Sequence, residues 1–210
     1  MADWATISSL ATAGGTLVLA VATFASVRSG NRAARSAERS LLAGIRPVLM
    51  PSRLDDPPVK VGFQDNHWVK LNGSRGAAEA TDEAIYLTMS LRNVGAGIAV
   101  LHGWVLVPER VMGEVPHPEL GEFHRLTRDI YVPAGDIGFW QGALRDPTDP
   151  EFLAARKAIE SGETLTVYLL YGDHEGGQRT ITRFAMQPLE DGDYLGIVVR
   201  HWNIDRVDPR

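Results

Sequence analysis

From Trp4 to Val27 the chain runs 24 residues without a charged side chain, and the next twelve residues bring four arginines, Arg28, Arg32, Arg35 and Arg39. A helix rising 1.5 Å per residue would cover about 36 Å over the uncharged stretch, against a hydrocarbon core of about 30 Å. Residues 1–27 are therefore expected to form a transmembrane helix. The stretch is only moderately apolar, with several Ser and Thr among Leu, Val, Ile and Ala, so a buried helix of a soluble domain is the alternative. Hydroxyls in helices bond backbone carbonyls one turn back, which lowers the cost of placing them in lipid. The opening "MADWATISS" has one acid and no base, unlike the basic start of a cleaved signal peptide.

Lys and Arg collect on the cytoplasmic flank of a span, so the sequence predicts an inner-membrane protein with its N-terminus outside and the rest in the cytoplasm. Residues 28–45 are expected to continue as a basic juxtamembrane helix. Spacings of four, three and four stack the guanidinium groups of Arg28, Arg32, Arg35 and Arg39 on one side of it. Anionic lipid headgroups are natural partners, at about 1 kcal/mol per charge; a merely solvated basic face is the other reading. The helix should end at "LLAGIRP", where Gly44 can close it in a left-handed conformation and Pro47 forces Arg46 toward extended geometry.

The formal charge of -5 hides an asymmetry: residues 1–50 carry five arginines against Asp3 and Glu38, while the remainder holds sixteen basic and twenty-four acidic side chains. An acidic body of that kind repels a duplex, so nucleic acid is not an expected partner. With no cysteine in the chain, thiol nucleophiles, disulfides and Cys-ligated metals are excluded.

Residues 46–210 read as short strands between Gly-, Pro- and Asp-rich turns. "AIYLTMSLR" alternates strictly and predicts a half-buried strand, while "IAVLHGWVLVP" is apolar on both faces and predicts a strand covered on both sides. These two are expected to pair across a glycine turn. "ETLTVYLLYGD" and "QRTITRFAMQP" flank "HEGG" as a second hairpin. Weaker strand candidates are "RPVLM", "VKVGF", "HWVKL", "FHRLTRDIYVP", "IGFWQ" and "YLGIVVRHW". "NGSRGAAEATDE" reads as the most flexible stretch. One helix is expected in "DPEFLAARKAIESGE", capped by Asp149, with Phe152, Ala155 and Ile159 on one face and Gly162 closing it. Many short strands and one inserted helix predict a mainly β, antiparallel sandwich behind the transmembrane helix.

The loop "NVGAGIA" contains Asn93, Gly95 and Gly97, the candidate ligand-loop residues. A phosphate-binding loop needs a third glycine or a lysine and opens onto a helix whose free amides face the anion. Here the glycines lead into a strand, which predicts a hairpin turn, with a ligand-contacting loop tip as the alternative. "LRNVGAGIAVLHGW", followed by the "YGDHEGGQRTITRF" hairpin, resembles the Asn-x-Gly-x-Gly-x-Ala turn of uncharacterised bacterial, actinobacterial-like membrane-anchored proteins. That resemblance implies an N-terminal span and an immunoglobulin-like β-sandwich; it brings no activity and no functional residues.

The six histidines, His67, His102, His117, His124, His174 and His201, show no metal-ligand spacing, so no metal and no cofactor is expected. His102 and His201 are read as structural. There is no G-x-S-x-G elbow, and Asp146, Asp149 and Glu151 gather at a helix start, where the dipole favours acids without catalysis. The expected function is a membrane-anchored binding or scaffolding module that is not an enzyme and has a protein partner. The alternatives are a small-ligand or metal sensor using the Gly95–Gly97 loop, and an enzyme whose residues converge only in three dimensions.

Overall fold

The computed structural model describes residues 3–206; the first two and last four residues lie outside the described residues. The chain divides into two compact units, Met1–Ala43 and Gly44–Arg210.

The first unit is one helix, α1 (Trp4–Gly44), 41 residues long and unbroken between the uncharged stretch and the arginine stretch. Within Ser8–Leu42 an 18-residue window reaches a mean hydropathy of 1.8 and none of it is buried. The helix is thus long and apolar enough to cross a membrane. Leu17, Val18, Leu19, Val21 and Phe24 are all exposed. The Thr12 hydroxyl donates to the Ser8 carbonyl at 2.9 Å and that of Thr16 to the Thr12 carbonyl at 2.8 Å, which satisfies these polar groups on the helix's own backbone. Gly44 does not take the expected left-handed conformation.

The second unit is mainly β. Its elements are β1 (Leu49–Pro51), β2 (Val59–Gly62), β3 (Trp68–Leu71), β4 (Arg75–Ala80), β5 (Ile85–Asn93), β6 (Ala99–Val107), β7 (His124–Val132), β8 (Ile137–Leu144), α2 (Pro150–Glu160), β9 (Leu165–Asp173), β10 (Arg179–Pro188) and β11 (Tyr194–Asn203). Nine strands form one curled antiparallel sheet in the order β1-β5-β4-β11-β10-β9-β6-β7, with β8 on the other edge of β5; β2 and β3 form a separate hairpin. In the sheet the halves of the curl pair where Tyr194 and Leu195 of β11 meet Gly76 and Arg75 of β4.

Alternate residues of β5, Ile85, Leu87, Met89 and Leu91, face the main core, where they meet Leu101, Trp104, Val167, Leu169 and Phe184 from the far half. Trp104 and Trp140 pack edge-to-face there, with centroids 5.7 Å apart. Helix α2 contributes Phe152, Ala155 and Ala158 to the same core. The Asp149 carboxylate accepts from the Glu151 amide, and Gly162 closes the end at φ 64°, both as the sequence predicts; Ala158 rather than Ile159 is fully buried.

Three expectations change. β5 is buried on both faces: Tyr86 packs under the β2–β3 hairpin with Phe63 and Leu71, and Ser90 hydrogen-bonds Ser52 at 2.7 Å. The stretch read as flexible contains β4, whose small residues are required because two packed layers meet there. A Cβ on Gly76 would lie 2.8 Å from Met186 Cε, while Ala77 packs into the outer cluster and Ala78 against the main core. Finally, β5 and β6 do not pair: β5 bonds to β1, β4 and β8, and β6 to β7 and β9. The β6 pattern of apolar residues on both faces has two sources. It is central, and its register shifts between Leu101 and Gly103, so Ala99 and Leu101 and then Trp104 and Leu106 reach the main core, three residues apart across the bulge.

Candidate functional site

The Asn93–Gly97 connection crosses from one half of the curl to the other, and its geometry is filled by the chain itself. Asn93 is fully buried. Its Nδ2 donates to the carbonyls of Gly97 at 2.6 Å and Val132 at 3.0 Å. Its Oδ1 accepts from the amides of Gly95 at 3.0 Å and Val48 at 3.2 Å. Two donors and two acceptors on a short stem are what this position demands, and an asparagine side chain supplies them. A Cβ on Gly95 would overlap the Arg46 carbonyl oxygen, and one on Gly97 the Ile45 carbonyl oxygen. Neither glycine has a positive φ. Their task is to let the segment that opens the β unit pass against the turn, so the expected hairpin turn is instead a crossover, and the candidate ligand loop is occupied by residues 45–48.

That entering segment is fixed a second time. Arg46 makes a two-pronged contact with Asp205, at 2.9 and 2.6 Å, and reaches Asn203 at 3.0 Å. Burial raises the Asp205 carboxyl, but the bonds from Arg46 and the Arg179 amide outweigh it and hold the group below its ordinary value. Nearby, Arg92 grips Asp56 at 2.6 and 3.1 Å, and that bond lowers the Asp56 carboxyl. Arg28, Arg32, Arg35 and Arg39 are all exposed on α1.

The structure also assembles a cleft that linear spacing did not reveal. In the sheet β7 pairs with β6 and β8 with β5, so a seam separates these consecutive strands. A cleft of about 170 Å³ opens along it, lined by Trp104, His124, Arg125, Arg128, Gln141 and Arg145. A Cβ on Gly142 would sit 2.7 Å from the Trp104 ring, so this glycine admits the indole. Part of the cationic character is already used. Arg128 donates to Gln141 at 2.8 Å, Arg145 lies 3.4 Å from Asp65, and His124 is 2.9 Å from Glu151. Asp65 also accepts from the Tyr86 hydroxyl at 2.6 Å, which lowers the carboxyl and raises the phenol. The cleft offers polar contacts and an aromatic wall.

The remaining histidines are mostly engaged. His67 lies 2.8 Å from Glu79 and stacks on Tyr86, His117 bonds the Pro118 carbonyl, and His174 lies 3.1 Å from Glu175. His201 bonds Thr182 at 2.7 Å, in line with its structural reading. His102 sits on the β6 bulge, where burial and then the charge of Arg179 lower its pKa. Among the described residues, no three His, Asp or Glu side chains gather in a way that could hold a metal. Asp146 caps a turn through Thr148. The β2–β3 hairpin displays Trp68, 67% exposed, beside Lys60 and Lys70. No known protein family, curated protein or solved structure matches this chain.

Proposed function

We propose that this chain is a single-pass membrane-anchored protein whose β unit is a cytoplasmic binding or scaffolding module, with the N-terminus outside the inner membrane. The observation that carries the reading is α1: an exposed apolar stretch followed directly by four exposed arginines in one continuous helix. Positive charge at one end of an apolar helix orients it toward the cytoplasm, and anionic headgroups hold the arginines there. The immunoglobulin-like character of the β unit belongs to the same proposal. It is supported by two strand groups, β8-β5-β4 and β11-β10-β9-β6-β7, that share one core and are linked by a short pairing. A protein partner has two surfaces suited to it, the unpaired edges along the β7–β8 seam and the exposed Trp68. Strand edges accept an extended segment through main-chain bonds.

Reporter fusions test the topology. A C-terminal reporter that works only in the cytoplasm should be active, and one that works only outside it silent. The reverse result would overturn the orientation, and recovery of the full chain in the soluble fraction would overturn the anchor. In-membrane crosslinking from Trp68 or from the seam should capture a protein neighbour; capture of lipid alone would count against a scaffold.

A further inference from the structure

Strands β10 and β11 set Arg183 directly opposite Arg200, an arrangement of like charges that weakens a strand pair unless something compensates it. Both guanidinium groups lie over the Trp202 ring, their central carbons 5.5 and 5.2 Å from its centroid. Arg183 is only 2% exposed. Its Nη2 donates to the Gly113 carbonyl at 2.9 Å, whereas its Nε and Nη1, and the Nε of Arg200, are buried without a partner. Neither arginine forms a salt bridge among the described residues. A cleft of about 620 Å³ is lined by both arginines, by Trp202 and Val199, and by the segment from Gly113 to Pro116. Its one carboxylate, Glu114, is exposed and paired with neither.

Buried charge persists in proteins when it is paired and its hydrogen-bonding capacity is met. The ring face of Trp202 offsets part of the cost, and the three N–H groups meet no hydrogen-bond acceptor among the described residues. Two other well-covered arginines of the unit, Arg46 and Arg92, each hold a carboxylate through two bonds. Among the described residues Arg183 and Arg200 have no such partner, and both line a cleft instead.

We infer that Arg183 and Arg200 form an anion site, and that it takes a doubly charged oxyanion, a phosphoryl group, held against Trp202 beneath the Gly113–Pro116 segment. Two guanidinium groups lining one cleft supply the positive charge that a doubly charged phosphate monoester calls for, more than a single carboxylate needs. The site shares no residue with the β7–β8 seam and does not depend on the membrane reading. A soluble phosphate compound and a lipid phosphate headgroup would present the same chemistry.

The test uses the full chain in neutral detergent at pH 7.5, titrated with inorganic phosphate at ionic strength held constant with sodium chloride. Tryptophan fluorescence should change saturably, and acetate should produce no such change. Arg200→Gln, at a partly exposed position that the fold tolerates, should weaken phosphate binding about tenfold or more. Trp202→Phe should lose most of the fluorescence signal, and a signal that persists in it would place the response at another tryptophan and overturn the site. Absence of saturation, equal binding of acetate, or an unchanged affinity in Arg200→Gln would each overturn the site. Mixed micelles containing phosphatidic acid then assign the source. Competition with inorganic phosphate upholds the site as a headgroup site, and phosphate binding without competition upholds it as a site for soluble phosphate compounds.

Discussion

The segments Asn93–Ile98, "NVGAGI", and Asp173–Gln178, "DHEGGQ", resemble one another: each leaves a strand through a buried polar residue and carries two close glycines. In both, that residue's side-chain oxygen accepts an amide of the turn, Gly95 N to Asn93 at 3.0 Å and Gln178 N to Asp173 at 3.1 Å. Yet the second joins neighbouring strands β9 and β10, while the first joins β5 and β6, which are not neighbours. The difference lies in what stands beside the glycines. Gly176 has φ 76° and nothing within 4 Å of a built Cβ, whereas Gly95 and Gly97 have ordinary φ angles and press on the backbone of residues 45–48. One glycine answers a dihedral requirement of its own turn; the other two answer the volume of a distant segment.

The sharpest way to break the comparison is Gly97→Ala. The new methyl overlaps a backbone carbonyl that cannot rotate away, so a loss of about 3 kcal/mol or more is expected in denaturant unfolding. Gly176→Ala meets no atom and should lose only about 1 kcal/mol from the left-handed conformation. Equal losses would show that both turns use glycine for the same reason. Asn93→Ala comes next: it strands the buried Val48 amide and two carbonyls, and about 2–3 kcal/mol should go. A hairpin-forming role alone would cost far less.

The smallest effect is a pH dependence confined to the entering segment. Asp205 and Asp56 are held below the ordinary aspartate value of about 3.9 by Arg46 and Arg92. Because their folded values are depressed, their contribution is complete above that value and lost as pH falls through the lowered ones. Replacing Asp205 with Asn should therefore lower stability at pH 7 and flatten the fall in stability below pH 4. An unchanged acid limb of the melting curve would dissociate Asp205 from this coupling.

Much of the secondary structure could be read directly. Asp149, Pro150 and Gly162 mark α2 because capping is a local matter, and "HEGG" marks its hairpin because Gly176 acts within its own turn. The strand of β4 could not be recognised from "RGAAEA", since small polar-flanked residues signal flexibility unless two layers press on them, and those layers come from Met186, far along the chain, and from Phe63 beside the preceding hairpin. The seam cleft was equally hidden: Trp104, Arg128, Gln141 and Arg145 share no spacing, and only the failure of β7 and β8 to pair brings them to one opening. The arginines at 183 and 200 each look like an ordinary strand cation until their register sets them opposite.

What the sequence determined by itself were properties carried by neighbouring residues: an apolar helix with its charge at one end, a mainly β body, a capped helix and a hairpin. Hydropathy, helix capping and φ preference all act over a few residues, so a linear reading captures them. Only the tertiary structure decided which strands pair, why Gly95 and Gly97 must be glycine, and which arginines lack a carboxylate, because steric overlap and charge pairing are settled by whatever distant segment arrives at the same place.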